Sequence, residues 1–376
     1  MRVGVVGAGQ LARMTYQAGI SLGLTVRLLA TSPEESAALV GREVAIGSPT
    51  SGPDLDAFAA TCDVVTFDHE LVDATHLGAL ERAGHTVRPG AEVVALVQDK
   101  RRQRTTLSRL GLPLPEFRFV STADEIAACG AEWGWPVVVK AARGGYDGRG
   151  VWVVPHAEGA AALVRETAAR GVELLAEQWV PIEREVAVLV ARRPSGEARV
   201  YPVVETVQRD GICHELLAPA PLSPALAGEA RDLGLAVAEA CGVTGILAVE
   251  LFVAGGRLLV NELAARPHNS GHFSIEGSIT SQFENHLRAV LDWPLGDPSL
   301  AAPAVATVNI LGRSSLDPAL ALPLALAVPG VHVHLYGKPA RPGRKLGHVT
   351  ATGDDAADAR ARAREATEIL AGGGSA

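Results

Sequence analysis

The sequence predicts an α/β protein of two or three domains. Its 376 residues are too many for one typical core, and 48% are hydrophobic while 4% are aromatic. Through residues 1–90, strand-like runs alternate with helical stretches, which is typical of βαβ units around a small parallel sheet. Later segments place short strands around single helices, as α+β domains do. We place the boundaries at 1–95, 96–295 and 296–376, the last ending in a disordered Gly-rich tail.

The individual elements follow from hydrophobic periodicity and from the glycines and prolines that interrupt it. Gly111 and Pro113, for example, predict the end of one helix over 93–110. The expected strands are Val3–Val6, Thr25–Leu29, Val64–Phe67, Val87, Phe117–Val120, Pro136–Lys140, Val151–Val154, Glu173–Glu177, Glu185–Ala191, Val200–Val204, His214–Leu217, Leu251–Val260 as a hairpin, Ala304–Ile310, Val331–Leu335 and Leu346–Thr350. The other expected helices begin near Gln10 or cover Leu77–Ala83, Asp124–Cys129, Glu158–Ala169, Pro224–Ala240, Ser281–Leu291 and a final stretch ending at Leu370.

The composition limits which class of partner the protein is expected to bind and which cell compartment it is expected to occupy. A net charge of −8, without a basic stripe carrying aromatics, argues against nucleic acid. The four cysteines are far apart in sequence, which favours reduced, buried thiols of a cytoplasmic protein. Gln10 and Arg13 interrupt any amino-terminal apolar segment, and no apolar run reaches the roughly 18 residues of a membrane span. A cytoplasmic protein acting on small molecules is expected.

Two carboxylates flank the predicted hairpin, Glu250 before it and Glu262 after it. A three-residue loop at Gly255-Gly256 would pair Glu250 with Val260 and make Glu262 its diagonal neighbour on one face. Two carboxylates with the amide of Asn261 or Asn269 would form an all-oxygen, magnesium-type site. The alternative is an ordinary hairpin with solvated glutamates, and a two-residue loop would put the two carboxylates on opposite faces.

The first glycine motif is Gly7-Ala-Gly-Gln-Leu-Ala12, which follows a strand and fits the dinucleotide fingerprint. A nicotinamide site also needs an acidic residue at the end of the second strand, and no carboxylate appears there before Glu34. The motif therefore favours a phosphate-bearing ligand at a helix amino terminus over a redox dinucleotide. Close packing without a ligand is the other alternative.

The second glycine motif runs from Lys140 to Gly150, between two strands. Lys140 supplies a point charge for nucleotide phosphates, and the glycines let the backbone fold over a ligand. An exposed glycine-rich hairpin would look similar. Downstream, Glu177-Gln-Trp-Val180 and Glu185 are candidates for holding an adenine edge and a ribose, although Trp179 taken alone is more typical of a core residue.

Taken together, these motifs occur in the order found in ATP-grasp ligases. Over residues 1–350 the chain resembles one family among them, the N5-carboxyaminoimidazole ribonucleotide synthetases of purine biosynthesis. The segments that carry the resemblance are Gly7–Leu11, Gly144–Gly150, Arg266–His272 and Gly337–Lys345. It implies an ATP-grasp fold with an amino-terminal Rossmann-like (pre-ATP-grasp) domain, a lid over about 115–178, a small carboxy-terminal subdomain and a homodimer. It also implies that bicarbonate is phosphorylated by ATP to carboxyphosphate, which carboxylates aminoimidazole ribonucleotide.

The resemblance also implies a role for each site residue. Mg²⁺ would be held by Glu250 and Glu262. ATP would contact Lys100, Lys140, Gly145, Tyr146, Asp147, Gly148, Arg149, Gly150, Glu177, Gln178, Trp179, Val180, Glu185, Gln208, Asn261 and Glu262. Catalysis would involve Tyr146, Asp147, Arg149, Arg266, His268 and Lys345, and the ribonucleotide would contact Gln10, Leu11, Arg266, His268, Asn269, Lys338, Arg344 and Lys345.

The chain departs from the family pattern at four positions. Asp68 stands where glutamate is usual, Gln208 where histidine is common, Lys100 where arginine is frequent and Ala265 where proline is frequent. None of these removes a candidate metal ligand or the phosphate lysine, so an active enzyme is expected. Two other functions stay open, namely a related ATP-grasp ligase acting on formate or another carboxylate and a non-catalytic or redox nucleotide-binding protein.

Overall fold

The amino-terminal domain contains a parallel four-stranded sheet, as the sequence predicted. The computed structural model describes residues 1–145 and 150–372. Its first sheet has the strand order β3-β2-β1-β4, and all its pairings are parallel. The elements are β1 (Arg2–Val6), α1 (Gln10–Ser21), β2 (Thr25–Ala30), β3 (Glu43–Ile46), α2 (Gly52–Ala59), β4 (Val64–Phe67) and α3 (Ala74–Arg82). Hydrophobic periodicity did not predict β3 or α2, because both are short and β3 is only partly buried.

The helix predicted over 93–110 is wrong as a single element. The structure has α4 (Ala91–Gln98) and α5 (Lys100–Arg109), separated by Asp99. Asp99 takes an extended conformation, and its carboxylate accepts hydrogen bonds from the backbone N–H groups of Arg101 and Arg102. An aspartate in that position caps the second helix and so ends the first. The break matters because Lys100 becomes the first residue of α5.

The second domain begins with a lid built on a four-stranded antiparallel sheet of order β5-β8-β6-β7. Two helices cover one face, and their apolar side chains form a core of their own with Val137 and Val139. The helix α6 starts at a capping box formed by Thr122 and Glu125. The lid elements are β5 (Phe117–Val120), α6 (Ala123–Trp133), β6 (Val137–Ala141), β7 (Val151–Val154), α7 (Ala157–Ala168) and β8 (Leu174–Gln178).

A larger antiparallel sheet carries the rest of the chain, with the order β14-β13-β9-β11-β12-β15-β17-β16 and β10 paired to β9. Its strands are β9 (Arg184–Arg192), β10 (Ala198–Val200), β11 (Val204–Arg209), β12 (Ile212–Ala218), β13 (Gly245–Ala254), β14 (Arg257–Ala264), β15 (Ala304–Leu311), β16 (Val331–Leu335) and β17 (Lys345–Gly353). The helices are α8 (Pro224–Ala240), α9 (Ser274–Gly277), α10 (Gln282–Val290), α11 (Leu322–Ala325) and α12 (Ala356–Leu370), with 3₁₀ turns at Asn269–Gly271 and Pro318–Ala321.

Two features of this sheet differ from expectation. The strand predicted at Val200–Val204 is wrong, because that segment is the break between β10 and β11. The strands of the carboxy-terminal subdomain continue the same sheet through the pairing of β12 with β15, so this subdomain shares its sheet with the second domain.

The four cysteines are free thiols, but Cys62 and Cys241 are only partly buried. No helix in the described part of the chain has the length and apolar character to cross a membrane.

Glycines in two helices allow a matched test of lid packing. A Cβ added at Gly130 in α6 would lie 2.2 Å from Cε2 of Trp135, whereas a Cβ at Gly228 in α8 meets nothing within 4 Å. We expect Gly130→Ala to lower the free energy of unfolding by about 1–3 kcal/mol through overpacking. We expect Gly228→Ala to raise it by about 0.5–1 kcal/mol, since alanine favours helix.

Urea unfolding of both variants measures the two effects. A Gly130→Ala protein as stable as the parent would show that Trp135 does not pack against α6 as described.

Candidate active site

The two candidate metal ligands lie directly opposite each other on β13 and β14. The predicted three-residue loop is wrong, because Ala254 pairs with Arg257 across a two-residue turn at Gly255 and Gly256. Both glycines have positive φ, 56° and 69°, as a type I′ turn requires. By itself this turn would place the two glutamates on opposite faces. A β-bulge restores them to one face, since Leu251 pairs with Val260 but Glu250 pairs with Glu262.

Asn261 is the extra residue of the bulge, and both its backbone and its side chain are held. Its carbonyl oxygen accepts a hydrogen bond of 2.6 Å from Nη2 of Arg104. Its Oδ1 accepts one of 3.0 Å from Nζ of Lys140, and its Nδ2 donates one of 3.2 Å to Oε2 of Glu250. The side-chain amide thus lies between a cationic side and an anionic side of the site. Its oxygen, an acceptor, faces Lys140, and its nitrogen, a donor, faces Glu250.

The helix α5 presents one polar stripe to this bulge. Lys100, Gln103 and Arg104 have the i, i+3, i+4 spacing that places side chains on one helix face. Lys100 Nζ lies 2.5 Å from Oε1 of Glu262, and Gln103 accepts a hydrogen bond from the backbone of Leu263. Arg104 is buried with 1% exposure. Because α5 begins at Lys100, directly after the capping residue Asp99, the break described above sets the direction of all three side chains.

A buried ion cluster joins this stripe to the lid. Glu177 on β8 accepts from Nε of Arg104 at 2.7 Å and pairs with Nζ of Lys140 at 2.7 Å. Burial alone would raise the pKa of Glu177, but Lys140 and Arg104 outweigh it and lower that pKa to about 2. Burial lowers the pKa of Lys140, with Glu177 opposing the change. One carboxylate against two cations leaves excess positive charge, which suits the binding of phosphate oxygens.

The opposite side of Asn261 carries excess negative charge. Burial, with Glu262 and Glu185 nearby, raises the pKa of Glu250 to about 7. Burial also raises the pKa of Glu185, which Lys140 opposes. Two buried carboxylates whose joint ionisation is disfavoured in this way suit the binding of a cation. Across residues 1–145 and 150–372, however, no three His, Cys, Asp or Glu side chains are arranged to hold a metal.

Beside these carboxylates, the 266–270 segment adds one cation and one neutral imidazole. Nε of Arg266 lies 2.7 Å from Oε2 of Glu70. Burial, with Arg266 nearby, lowers the pKa of His268 to about 3, so its ring is neutral. Its Nδ1 accepts a hydrogen bond from the backbone N–H of Ser270, which leaves the proton on Nε2, 3.6 Å from Oε1 of Glu250. The side-chain amide atoms of Asn269 are buried without a partner in the described residues.

The backbone turn that precedes α1 is capped by the carboxylate of Asp68. Asp68, at the end of β4, accepts hydrogen bonds from the backbone N–H groups of Gly9 and Ala12, the latter at 3.1 Å. A Cβ at Gly9 would lie 2.6 Å from Oδ2 of Asp68. In the free protein these two amide groups are paired with Asp68, which favours the close-packing alternative. The binding of a ligand phosphate at this turn stays a prediction.

A cavity of about 290 Å³ lies next to this turn, between the amino-terminal domain and the loop before β17. Lys338 and Arg344 line one side of it, and Ser32, Glu34 and Ser36 line another. Nζ of Lys338 also donates a hydrogen bond to Oε1 of Gln10. The two cations suit a phosphate, and the serine hydroxyl groups with the carboxylates of Glu34 and Glu35 suit the hydroxyl groups of a sugar. The predicted residues Gln10, Lys338 and Arg344 are thus brought together, with Lys345 following directly in sequence.

Several predicted contacts are not tested by the described residues. The carboxylate of Glu177 faces Arg104 and Lys140, and the predicted contact of this segment with adenosine stays a prediction. Leu11 is a buried core residue, and its predicted contact with the ribonucleotide also stays a prediction. Trp179, expected in the core, is 47% exposed. Tyr146, Asp147, Gly148 and Arg149 lie outside the described residues. Gly145, Gly150, Gln178, Val180 and Gln208 form no contact that decides their roles, so these roles stay predictions.

Sequence reasoning missed Arg104, which connects α5, the lid and the bulge. The sequence indicated Arg104 only through its position, four residues after Lys100 in a predicted helix. This spacing places both side chains on one helix face. Its partners lie 73 and 157 residues away in sequence. Nothing in the local pattern indicates them.

Family models match most of the chain. The ribonucleotide synthetase preATP-grasp domain matches residues 1–98, the ATP-grasp domain 105–283, and the phosphoribosylaminoimidazole carboxylase C-terminal domain 305–362. The N5-carboxyaminoimidazole ribonucleotide synthase of Mycobacterium tuberculosis is 47% identical, with 99% of this chain and 88% of that protein covered. The chain belongs to the N5-carboxyaminoimidazole ribonucleotide synthase family. The synthase of Corynebacterium ammoniagenes is 45% identical, with 98% of this chain and 91% of that protein covered.

Solved structures of N5-carboxyaminoimidazole ribonucleotide synthases agree with this membership. The enzyme of Thermus thermophilus has a TM-score of 0.87 and 38% identity, with 98% of each chain covered. The Aspergillus clavatus enzyme in complex with ADP and 5-aminoimidazole ribonucleotide has a TM-score of 0.90 and 32% identity, again with 98% of each chain covered. The chain is therefore an ATP-grasp ligase by family, in agreement with the fold and enzyme class expected from its sequence.

Removing the charge of Glu177 tests the ion cluster of this ATP-grasp site. Glu177→Gln leaves Arg104 and Lys140 buried without their anion, so we expect a loss of about 3–5 kcal/mol in the free energy of unfolding at neutral pH. Because the pKa of Glu177 is lowered from 4.5 to about 2, this stabilisation is complete above pH 4.5 and is lost as pH falls through about 2. The deficit of the variant should therefore shrink below pH 4.5.

Urea unfolding across this pH range measures the difference. Glu173→Gln is the matched control, since Glu173 pairs with Arg101 at 2.9 Å but is 59% exposed. It should cost no more than about 1 kcal/mol. Equal losses in the two variants would contradict the buried cluster.

Proposed function

We propose that this chain carboxylates 5-aminoimidazole ribonucleotide with bicarbonate and ATP, giving N5-carboxyaminoimidazole ribonucleotide, ADP and phosphate in purine biosynthesis. Membership of the synthase family supports the reaction. The arrangement around Asn261 is the main structural support for placing the active site here. Lysine and arginine side chains suited to phosphate lie on one side of it, and Glu250 and Glu262 face each other on the other side. The reaction needs both, because it transfers a phosphoryl group from a nucleotide.

ATP would place its phosphates on the cationic side of Asn261. Lys140 and Lys100 hold Asn261 and Glu262 in the free protein, and both ammonium groups lie within reach of a shared anion. Phosphoryl transfer depends chiefly on positioning and charge neutralisation, so no nucleophilic side chain is required. The adenosine would lie along the lid strand β8 and its continuation to Val180, with Glu185 near the ribose.

Mg²⁺ fits the anionic side of the same site. Glu250 and Glu262 offer the carboxylate oxygens that this ion prefers, and phosphate oxygens with water would complete its coordination. The amide of Asn261 turns its nitrogen to Glu250, so its oxygen is on the cationic side. When bound, the ion neutralises charge on the transferred phosphate. The raised pKa of Glu250 is the feature of the free protein that supports this assignment.

Bicarbonate would attack the terminal phosphorus of ATP and form carboxyphosphate beside His268 and Arg266. The neutral His268 donates from Nε2, and Arg266 supplies a fixed positive charge held by Glu70. The carboxyl group then passes to the exocyclic amine, either directly or as CO₂, and phosphate leaves. Carboxyphosphate reacts with water, so closure of the lid would exclude solvent during this step.

The ribonucleotide phosphate would lie in the cavity beside Lys338 and Arg344. Gln10 reaches the same place from α1. Lys345 lies close enough to His268 to contribute, after burial, to the lowering of its pKa, so its charge would face the ribonucleotide from the side of His268. In this position the imidazole ring of the ribonucleotide would face His268 and Asn269. Tyr146, Asp147 and Arg149 are proposed on the same side from the family pattern alone. A homodimer in the cytoplasm is part of the proposal and rests on the same resemblance.

ADP release is the measurement that tests this function. Purified protein with ATP and Mg²⁺ should form ADP rapidly only when the ribonucleotide is present, and labelled bicarbonate carbon should enter the product. Hydrolysis that ignores the ribonucleotide would keep the ATP-grasp assignment and contradict the substrate. Glu262→Gln should abolish turnover in this assay with an unchanged circular dichroism spectrum, because it removes a charged metal ligand. Glu229→Gln, on the exposed side of α8, is the control and should not affect it.

Lys345→Ala tests the assignment of the ribonucleotide side. We expect the KM for the ribonucleotide to rise at least about tenfold, since a charge-assisted contact to phosphate contributes about 1.5–3 kcal/mol. The KM for ATP should change less than about twofold. Steady-state ADP release with each substrate varied in turn gives both values. Parallel losses for the two substrates would place Lys345 outside the ribonucleotide site.

A further inference from the structure

Tyr336 lies where the three parts of the molecule meet. Its side chain has 1% exposure. It forms a small core with Leu11 and Met14 of α1 and with Phe283 of α10. Its carbonyl oxygen accepts a hydrogen bond of 2.6 Å from Oγ of Ser36, which lines the cavity. Nothing in the sequence motifs assigned a role to this residue.

One face of the Tyr336 ring supports Lys338. Nζ of Lys338 lies 5.4 Å from the ring centroid, within the range of a cation–π interaction. The same ammonium group donates to Gln10 and lines the cavity with Arg344. A lysine has a flexible four-carbon stem, and an aromatic face restricts the positions that its charge takes.

The hydroxyl group of Tyr336 is itself anchored. Its oxygen lies 2.7 Å from Nδ1 of His348 on β17. The ring of His348 is stacked between two other imidazoles, with centroid distances of 4.8 Å to His272 and 4.5 Å to His334. Burial lowers the pKa of His348 well below its ordinary value, so a neutral imidazole holds the tyrosine. The stack restricts rotation of the His348 ring and, through the hydrogen bond, of the Tyr336 ring.

We infer that Tyr336 is a positioning residue for substrate binding, whose anchored ring aims the Lys338 ammonium group at the anionic group of the ribonucleotide. The inference rests on the proposed function, because it takes the ligand of this cavity to be the phosphorylated substrate. Tyr336 has no contact with the cluster around Asn261. Its effect is therefore expected on the binding of the ribonucleotide and not on the binding of ATP.

Two substitutions separate the ring from its hydroxyl group. Tyr336→Leu removes the aromatic face and should raise the KM for the ribonucleotide about tenfold. Tyr336→Phe keeps the ring but releases it from His348, and should raise that KM about threefold. The KM for ATP should stay within about twofold in both. If the leucine variant does not fold, the phenylalanine variant alone decides, and an unchanged ribonucleotide KM overturns the inference.

A double-mutant cycle with Lys338→Met distinguishes positioning from a structural effect. If Tyr336 acts through Lys338, then adding Tyr336→Phe to Lys338→Met should raise the ribonucleotide KM no further. Additive effects would overturn the inference while leaving the cavity assignment intact. If Lys338→Met itself leaves this KM unchanged, then the proposed phosphate site is wrong and the inference falls with it.

Tyr201 provides the matched control. It is also fully buried, and its hydroxyl group donates to the carbonyl oxygen of Thr280 at 3.1 Å and accepts from Asn285 at 2.8 Å. It has no contact with Lys338. Tyr201→Phe should lower the unfolding midpoint as Tyr336→Phe does, without a selective change in either KM. A selective rise in the ribonucleotide KM in this control would show that loss of any buried hydroxyl produces the effect, and would overturn the inference.

Discussion

Asn261 has three hydrogen bonds that divide the site into two electrostatic halves. Its carbonyl and side-chain oxygens face Arg104 and Lys140, and its side-chain nitrogen faces Glu250. Since it is the inserted residue of a bulge, the same position also shifts Glu262 opposite Glu250. Without the bulge, the two carboxylates would lie on opposite faces of the hairpin. The anionic side and the cationic side of the site therefore both depend on Asn261.

The charges around this residue are arranged for ligands that carry both signs. Glu177 neutralises part of the charge of Arg104 and Lys140, which lets these two cations from α5 and β6 approach each other. On the other side, burial together with Glu262 and Glu185 raises the pKa of Glu250 to about 7. In the proposed function, a nucleotide would bring its phosphates to the cations and its divalent ion to the carboxylates. Internal partners hold both sides of the site in place in the free protein.

The cavity proposed for the ribonucleotide is organised by contacts between domains. The turn before α1 is filled by Asp68, so its backbone amide groups are occupied. Binding of an anion there depends on side chains that other domains supply, with Lys338 and Arg344 arriving from the loop before β17. The buried Tyr336 packs α1, α10 and β17 against one another around this place. Any movement between these elements would alter the cavity.

Local patterns in the sequence determined the alternation of strands and helices, the parallel first sheet, the order of the ATP-grasp motifs and the residue types at the site. These depend on periodicity and on short motifs, which are visible within a few residues. The bulge at Asn261, the break of a predicted helix at Asp99 and the closure of the first glycine turn by Asp68 were decided only by tertiary structure. Each depends on partners far away in sequence, and Arg104, for instance, meets Asn261 across 157 residues. A register shift of one residue reverses the face of every side chain in a strand, and no local pattern records it.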